Sequence, residues 1–330
     1  MILYEFQYER PKSLADATNL LIDLPDARPL AGGTDLVPNM RVAVTRPATV
    51  VGLGAIPASA PSLQSDGAIR IDALSRLASL AESSLLREKV PMLADAARAV
   101  ASQQIREMGT LGGNLCQDTR CLYFNQQHDF QFVAPCYKRG GNCCYPFPRN
   151  KPGVCWSVYM SDVAPALISL GAGLEIVSRD KTRQMPIEQL FTGDGNRPAS
   201  LVQGELISAV LVPPLPANLG WGYHKSARRG GLEFATSVAA VALRIEGGIC
   251  TEARITIGAI RERPVRADGA EKELLGKSLE PALLARAADI AVKEVEPLPH
   301  HGHTKSFIVD NLRVHLRRIL SKAVERANAA

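Results

Sequence analysis

The chain has 330 residues, 46% of them hydrophobic and 22% charged, with a formal net charge of +5. That length suggests two or three domains with a sizeable core, and the composition is ordinary for a soluble globular protein. The positive excess is mild and spread along the chain, which argues against a nucleic-acid-binding role. No basic start followed by an apolar run marks a secretory signal, and no apolar stretch is long enough for a bilayer. The cytoplasm is the simplest location, where seven cysteines would stay as thiols or metal ligands.

In chain order, Leu3–Tyr8 alternates like a strand, and Ser13 caps a helix from Leu14 to about Ile22, with Asp16 at the capping-box position. Arg28–Leu30 is a short strand that runs into AGGTDL, and Ala48–Leu53 is a closing strand. Beyond residue 55, Ala68–Ile71 reads as a strand, Leu74–Glu82 as a helix and Pro91–Ser102 as a second helix with Pro91 in its first turn. TLGGN, a cysteine-rich stretch and SDVAPALISLGAGLEIV come next; the last gives a helix from Val163, a glycine stop and a strand at Leu174–Val177. Glu205–Val212 is a further strand, and Pro213, Pro214 and Pro216 mark a linker. Past the linker, Val238–Ile245 and Ile249–Ile260 flank Glu246-Gly247-Gly248 as a hairpin. Helices over Glu280–Val295 and Ser306–Ala327 close the chain, the last with a core stripe of Ile308, Leu312, Leu316 and Ile319/Leu320. The domain boundaries expected from this are 1–55, 56–215 and 217–330.

Two loops carry chemistry. Ala31-Gly32-Gly33-Thr34-Asp35 comes after a strand; its glycines permit φ > 0 and close approach, and successive amides of such a turn form a nest for phosphate oxygens. A Gly-Gly turn can also be only a turn, and GxGxxG with its downstream acid is absent, so this is not the Rossmann fingerprint. Thr110-Leu111-Gly112-Gly113-Asn114 is a second loop of the same character, so that the pair could clamp a pyrophosphate from both sides.

Cys121, Cys136, the adjacent Cys143 and Cys144, and Cys155 fall within one stretch without helical or strand period. A loop this long in a compact domain needs a function or a tie. Thiolates around an iron–sulfur cluster would supply both. Zinc is the competing reading, but the spacing Cys-x14-Cys-x7-Cys-x10-Cys contains none of the short knuckles zinc usually takes.

AGGTDL, TLGGN and SDVAPAL, in that order and spacing, resemble the FAD-binding subunits of the molybdenum hydroxylases, the xanthine dehydrogenase and carbon monoxide dehydrogenase type. The resemblance covers nearly the whole chain. It implies an α+β architecture: the two-subdomain FAD-binding fold of the PCMH-type flavoproteins, followed by a C-terminal α/β domain like that of CO dehydrogenase flavoproteins. It implies that residues Ala31, Gly32, Gly33, Thr34 and Asp35, with Thr110, Gly112, Gly113 and Asn114, hold the FAD pyrophosphate. Asp162 would bond ribityl or ribose hydroxyls, or act simply as a helix N-cap. Leu206, in GELI, would pack on the isoalloxazine or be an ordinary core residue. Lys225, in YHKSARR, would lie near the flavin ring and stabilise its reduced anion, or be a surface lysine.

The passage from Asn114 to Ser161 is far longer than most of that family uses, and the excess (116–160) is the cysteine segment. In this it resembles the FAD subunits of 4-hydroxybenzoyl-CoA reductases, whose insertion carries a [4Fe–4S] cluster. The resemblance implies Cys121, Cys136, Cys144 and Cys155 as ligands. Cys143 competes with Cys144, because adjacent side chains of extended backbone point opposite ways; the separation from Cys136 in the resembling subunits favours Cys144. Cys116 is set aside because cluster-free relatives also carry a cysteine beside GGN, and Cys250 reads as a buried small hydrophobe.

The resemblance thus implies an electron-relay subunit with FAD and [4Fe–4S], no substrate chemistry of its own and no covalent flavin. Its partners would be a molybdenum-cofactor large subunit, a [2Fe–2S] small subunit and a ferredoxin-like donor, in a dimer of heterotrimers that takes part in aromatic degradation. A molybdenum aldehyde oxidoreductase with a similar flavin subunit is the alternative. A zinc-stapled binding module, which would be colourless, is the reading from another class.

Overall fold

The structure, a computed structural model, describes residues 3–125, 134–148 and 153–329. The parts of the cysteine segment at 126–133 and 149–152 therefore lie outside the described residues.

The first layer is a parallel three-stranded sheet. β1 (Gln7–Glu9), α1 (Leu14–Asp23), β2 (Ala27–Leu30), α2 (Leu36–Arg41) and β3 (Thr49–Gly52) alternate, and β3 lies between β1 and β2. The central strand is buried along its whole length, as parallel sheets require. Ser13 starts α1 as expected: its hydroxyl accepts from the Asp16 amide and donates to the Asp16 carboxylate.

The second layer is an antiparallel five-stranded sheet with a helical cover. Its strands are β4 (Ser62–Leu63), β5 (Ile69–Asp72), β6 (Gly173–Val177), β7 (Thr182–Pro186) and β8 (Leu206–Val212), in the order β4-β5-β8-β6-β7. Helices α3 (Leu77–Glu82), α4 (Ser84–Lys89), α5 (Pro91–Ala99), α6 (Gln103–Met108), α7 (Leu111–Leu115) and α8 (Ala164–Ser169) separate β5 from β6 in the chain. Most of these helices bury Leu and Ala positions in one core with the sheet. The helix expected over Pro91–Ser102 ends at Ala99, and a second helix, α6, starts just beyond it. Ser102 caps the second by accepting from the Ile105 amide, and Ala101 takes a positive φ of 39° to turn the corner.

The third layer is the antiparallel sheet β12-β11-β10-β9, made of β9 (Leu219–Ser226), β10 (Ser237–Glu246), β11 (Ile249–Gly258) and β12 (Val265–Arg266). The expected hairpin is β10–β11, with Gly247 and Gly248 at positive φ in its turn. α9 (Asp268–Leu274), α10 (Pro281–Glu294) and α11 (Lys305–Ala329) complete this core, and the Ile308/Leu312/Leu316 stripe is fully buried. Strand β9 is hidden in the sequence because its glycines break the apolar alternation. They serve a close approach: a Cβ on Gly220 or Gly222 would overlap the α11 backbone at Ala323 or Ile319. The α+β architecture expected from the resemblance is thus the architecture observed.

Candidate flavin cleft and cysteine cavity

The AGGTD loop bridges the end of β2 and the start of α2. Gly33 sits at φ 73°. Gly32 lies so close to the Met108 carbonyl that any Cβ would overlap it, which presses the two glycine loops together. The amides of Gly32, Gly33 and Thr34 have no hydrogen-bond partner among the described residues. Successive free amides of this kind make an anion nest.

The TLGGN loop is built differently from its partner. Thr110 caps α7 and accepts from the Gly113 amide at 3.1 Å. The Gly112 amide donates to Ala73 O at 2.7 Å and the Asn114 amide to Thr110 O at 2.9 Å. This loop therefore offers surface and side chains rather than free amides, and the symmetrical clamp expected from two glycine loops is one nest facing one capped turn.

Between the loops opens a cleft with about 770 Å³ of empty space. Thr34, Asp35, Thr110, Gly113, Asn114 and Asp162 line it; Ala31, Gly32, Gly33 and Gly112 do not. Asp162 is 5% exposed, and its Oδ2 accepts from Lys225 Nζ at 2.8 Å, which also donates to Ala99 O at 3.0 Å. Burial pushes the Asp162 carboxyl up to about 6 even though Lys225 pulls the other way. Oδ1 of Asp162 is buried without a partner. An orphaned acceptor on the cleft wall fits a hydroxyl-bearing ligand such as the ribityl or ribose part of FAD; of the three residues with free amides, Thr34 is the one that lines the cleft. Lys225 reaches the cleft only through Asp162. Leu206 lies in the small core with Ala17, Leu21 and Val51 and is not part of the cleft wall.

Asp35 does not present its carboxylate freely. It pairs with Arg120 and accepts from the Asp118 amide at 3.0 Å; burial raises its carboxyl while Arg120 opposes that rise. The cleft is thereby fastened to the cysteine segment, whose two ends pair as an isolated antiparallel bridge, Arg120 with Val158.

Cys121, Cys136, Cys143, Cys144 and Cys155 all line a second, small cavity. Cys116, which is exposed, and Cys250, buried in the C-terminal core, do not. Cys136, Cys144 and Cys155 are buried, whereas Cys143 and Cys121 are half-buried. Among the described residues no three His, Cys, Asp or Glu side chains converge as ligands of a single metal ion. The five cysteines share the lining of one cavity without closing on a common point. Burial raises the thiol pKa values of Cys121, Cys144 and Cys155, so an ion or cluster would have to displace their protons.

Sequence reading missed the apolar wall of the cleft, Leu77, Val100, Ile105 and Met160, because each looks like an ordinary core position. It also missed Arg120, Gln117 and Phe234 in the cleft, and Lys138 and Ser157 beside the cysteines. Arg120 had one signal, its place next to Cys121.

Residues 4–215 match the family described as the FAD-binding domain in molybdopterin dehydrogenase, and residues 221–323 match the CO dehydrogenase flavoprotein C-terminal domain. The chain belongs to the FAD-binding subunits of the molybdenum hydroxylase family, of the CO dehydrogenase medium-chain type. It is 29% identical to the carbon monoxide dehydrogenase medium chain of Afipia carboxidovorans over 99% of each chain. It is 30% identical to the aldehyde oxidoreductase FAD-binding subunit of Escherichia coli, over 82% of this chain and 86% of that one. A solved carbon monoxide dehydrogenase from Hydrogenophaga pseudoflava superposes with a TM-score of 0.81 at 26% identity over 99% of each chain. Among the described residues no helix is long and apolar enough to cross a membrane.

Proposed function

We propose that this chain is a flavin and [4Fe–4S] electron-transfer subunit whose substrate chemistry takes place on a partner molybdenum subunit. One observation carries the reading: a five-cysteine cavity adjoins the flavin cleft, with Arg120 lining the cleft and Cys121 lining the cavity. FAD takes electrons in pairs and a cluster passes them singly, so the two together couple a one-electron partner to a two-electron reaction. The ligands are Cys121, Cys136, Cys144 and Cys155; the burial of Cys144 against the half-buried Cys143 supports that choice. The three sheets support a division at residues 1–55, 56–215 and 217–330, with the cluster insertion at 116–160.

The partners in this reading are a molybdenum-cofactor large subunit and a [2Fe–2S] small subunit, assembled as a dimer of heterotrimers. The complex is a 4-hydroxybenzoyl-CoA reductase, a reading supported by the GGNLCQDTRC string and the cysteine insertion. Two electrons from a ferredoxin-like donor and two protons remove the phenolic hydroxyl as water. A second reading, an aldehyde oxidoreductase subunit with outward electron flow, is favoured by the 30% identity to the Escherichia coli subunit of that kind.

The test is iron, acid-labile sulfide, zinc and FAD content on anaerobically purified protein, repeated on Cys144→Ser and Cys143→Ser. About four irons and four sulfides per chain, lost in Cys144→Ser and kept in Cys143→Ser, are expected. One zinc without sulfide would leave only the flavin half of the reading. Assay of the complex with 4-hydroxybenzoyl-CoA and a reduced donor, against aldehyde oxidation, then separates the two substrates.

A further inference from the structure

Lys138 is a buried cation beside the cysteine cavity. It lies on the turn after Cys136, its side chain is 7% exposed, and it lines the cavity. Its Nζ pairs with the Asp118 carboxylate, lies 4.3 Å from the centre of the Phe124 ring and donates to Thr119 Oγ1 at 2.6 Å. Thr119 Oγ1 in turn contacts Ser157 Oγ, and Ser157 Oγ lies 3.1 Å from Cys155 Sγ. Thr119 and Ser157 are buried, so water does not compete for these bonds.

The direction of this chain of bonds is set by what each group is able to donate. A thiolate on Cys155 accepts only, so Ser157 gives it its single hydrogen. The hydrogen in the short contact between the two hydroxyls then comes from Thr119, which also has Gly195 O at 3.2 Å and whose oxygen accepts from the ammonium. Three donors in series therefore point from Lys138 to the sulfur. Packing alone does not explain them, because a cation is costly to bury and an apolar side chain would fill the same space. Asp118 offsets part of that charge and lies beside the relay, its Oδ1 3.5 Å from Thr119 Oγ1, but it is 31% exposed and is not part of the cavity wall.

We propose that Lys138, acting through Thr119 and Ser157 on Cys155, sets the reduction potential of the iron–sulfur centre by stabilising its reduced form. The proposal rests on the reading that the cysteines hold such a centre. Each reduction adds one electron from an external one-electron donor, with no bond made or broken and no proton taken up. The added negative charge is what the ammonium and the Ser157 hydrogen bond favour, and hydrogen bonds to cluster-bound sulfur raise its potential. Lys138 is accordingly a positioning and tuning residue, not a ligand.

The test is the midpoint potential of the centre, followed by electron paramagnetic resonance during reductive titration of the full chain in its complex. Dithionite is the reductant, and iron is counted in every sample. Lys138→Met should make reduction at least tenfold less favourable, which is a fall of about 59 mV or more for one electron. Ser157→Ala should shift it severalfold in the same direction, and Lys138→Arg should stay near the wild type. Unchanged potentials in iron-replete Lys138→Met and Ser157→Ala would overturn the proposal. Should Lys138→Met fail to load iron, the smaller Ser157→Ala change decides. A wild-type chain without iron or sulfide would instead sink the cluster reading beneath it.

Discussion

The flavin cleft and the cysteine cavity are neighbours with opposite construction. The cleft takes part of its wall from the ends of α3 and α7, whose inner faces belong to a large core. The cysteine cavity is walled by turns: Phe124 N to Cys121 O, Tyr137 N to Cys143 O and Phe147 N to Cys144 O are the backbone bonds that shape it. Gly140, at φ 84°, ends the short turn after Cys136. None of its five cysteines belongs to a hydrophobic core cluster among the described residues. One site rests on packing; the other rests on turns. A fold can therefore carry a cofactor cleft beside its core and a second cavity as an attachment, joined here by Asp35, Arg120 and Asp118.

That contrast is sharpest when the centre is removed. Cys136→Ser combined with Cys155→Ser should abolish all bound iron while FAD stays bound, because the nest and Asp162 lie on other elements. Metal analysis and the flavin absorbance of the same sample read both. Loss of FAD together with iron would show that the two sites are one folding unit.

The reverse experiment acts on the cleft. Asp162→Asn leaves Lys225 buried without its counter-ion, which costs about 3–5 kcal/mol. With its remaining oxygen turned to Lys225, the amide nitrogen takes the place of the orphaned acceptor, so FAD affinity should fall by roughly tenfold to a hundredfold, the worth of a charged hydrogen bond. Chemical denaturation and flavin titration measure the two effects, and iron content should not change. A smaller effect is expected for Gly32→Ala, which forces the glycine loops apart at Met108 and costs about 1–3 kcal/mol by overpacking. A Gly32→Ala chain as stable as the wild type would mean the loops are not held in contact.

The sequence carried the contrast only in part. Residues that announce themselves by chemistry were legible as neighbours: Thr34, Asp35, Thr110, Gly113, Asn114 and Asp162 share one cleft, and five of the cysteines share one cavity. So was the α11 stripe, since helical period and burial coincide there. What stayed hidden was whatever depends on a distant partner. Gly112 looks like a phosphate-binding glycine, yet its amide is spent on Ala73, a residue 39 positions earlier. Ser102 reads as the end of a helix until the Ile105 amide shows it to be the start of another. Lys138 is an ordinary lysine in the string until Asp118, Thr119 and Ser157 surround it.

The finest probe of the cleft is pH. Burial holds the Asp162 carboxyl at about 6, above its ordinary value of 3.8, against the pull of Lys225. The folded, flavin-free chain therefore keeps a proton that the unfolded chain has lost between those values. The stability this gives is present at low pH and is lost as pH rises through 6. Two histidines oppose it: burial holds His224 and His300 at about 4, below 6.5, so their contribution is lost as pH falls toward 4. The net stability profile thus mixes opposite signs, whereas FAD affinity reads only the cleft, where Asp35 is the other raised carboxyl and Asp162→Asn separates the two. A flavin hydroxyl donating to Oδ1 favours the ionised carboxylate, so binding expels the proton. Affinity should then fall as pH drops below 6, by at most about tenfold per pH unit for one proton. Flavin titrations from about pH 5 to 7.5 should show that slope in the wild type and lose it in Asp162→Asn. A flat wild-type profile would mean that Oδ1 meets no donor on the flavin, and the orphaned oxygen would then mark a bound water instead.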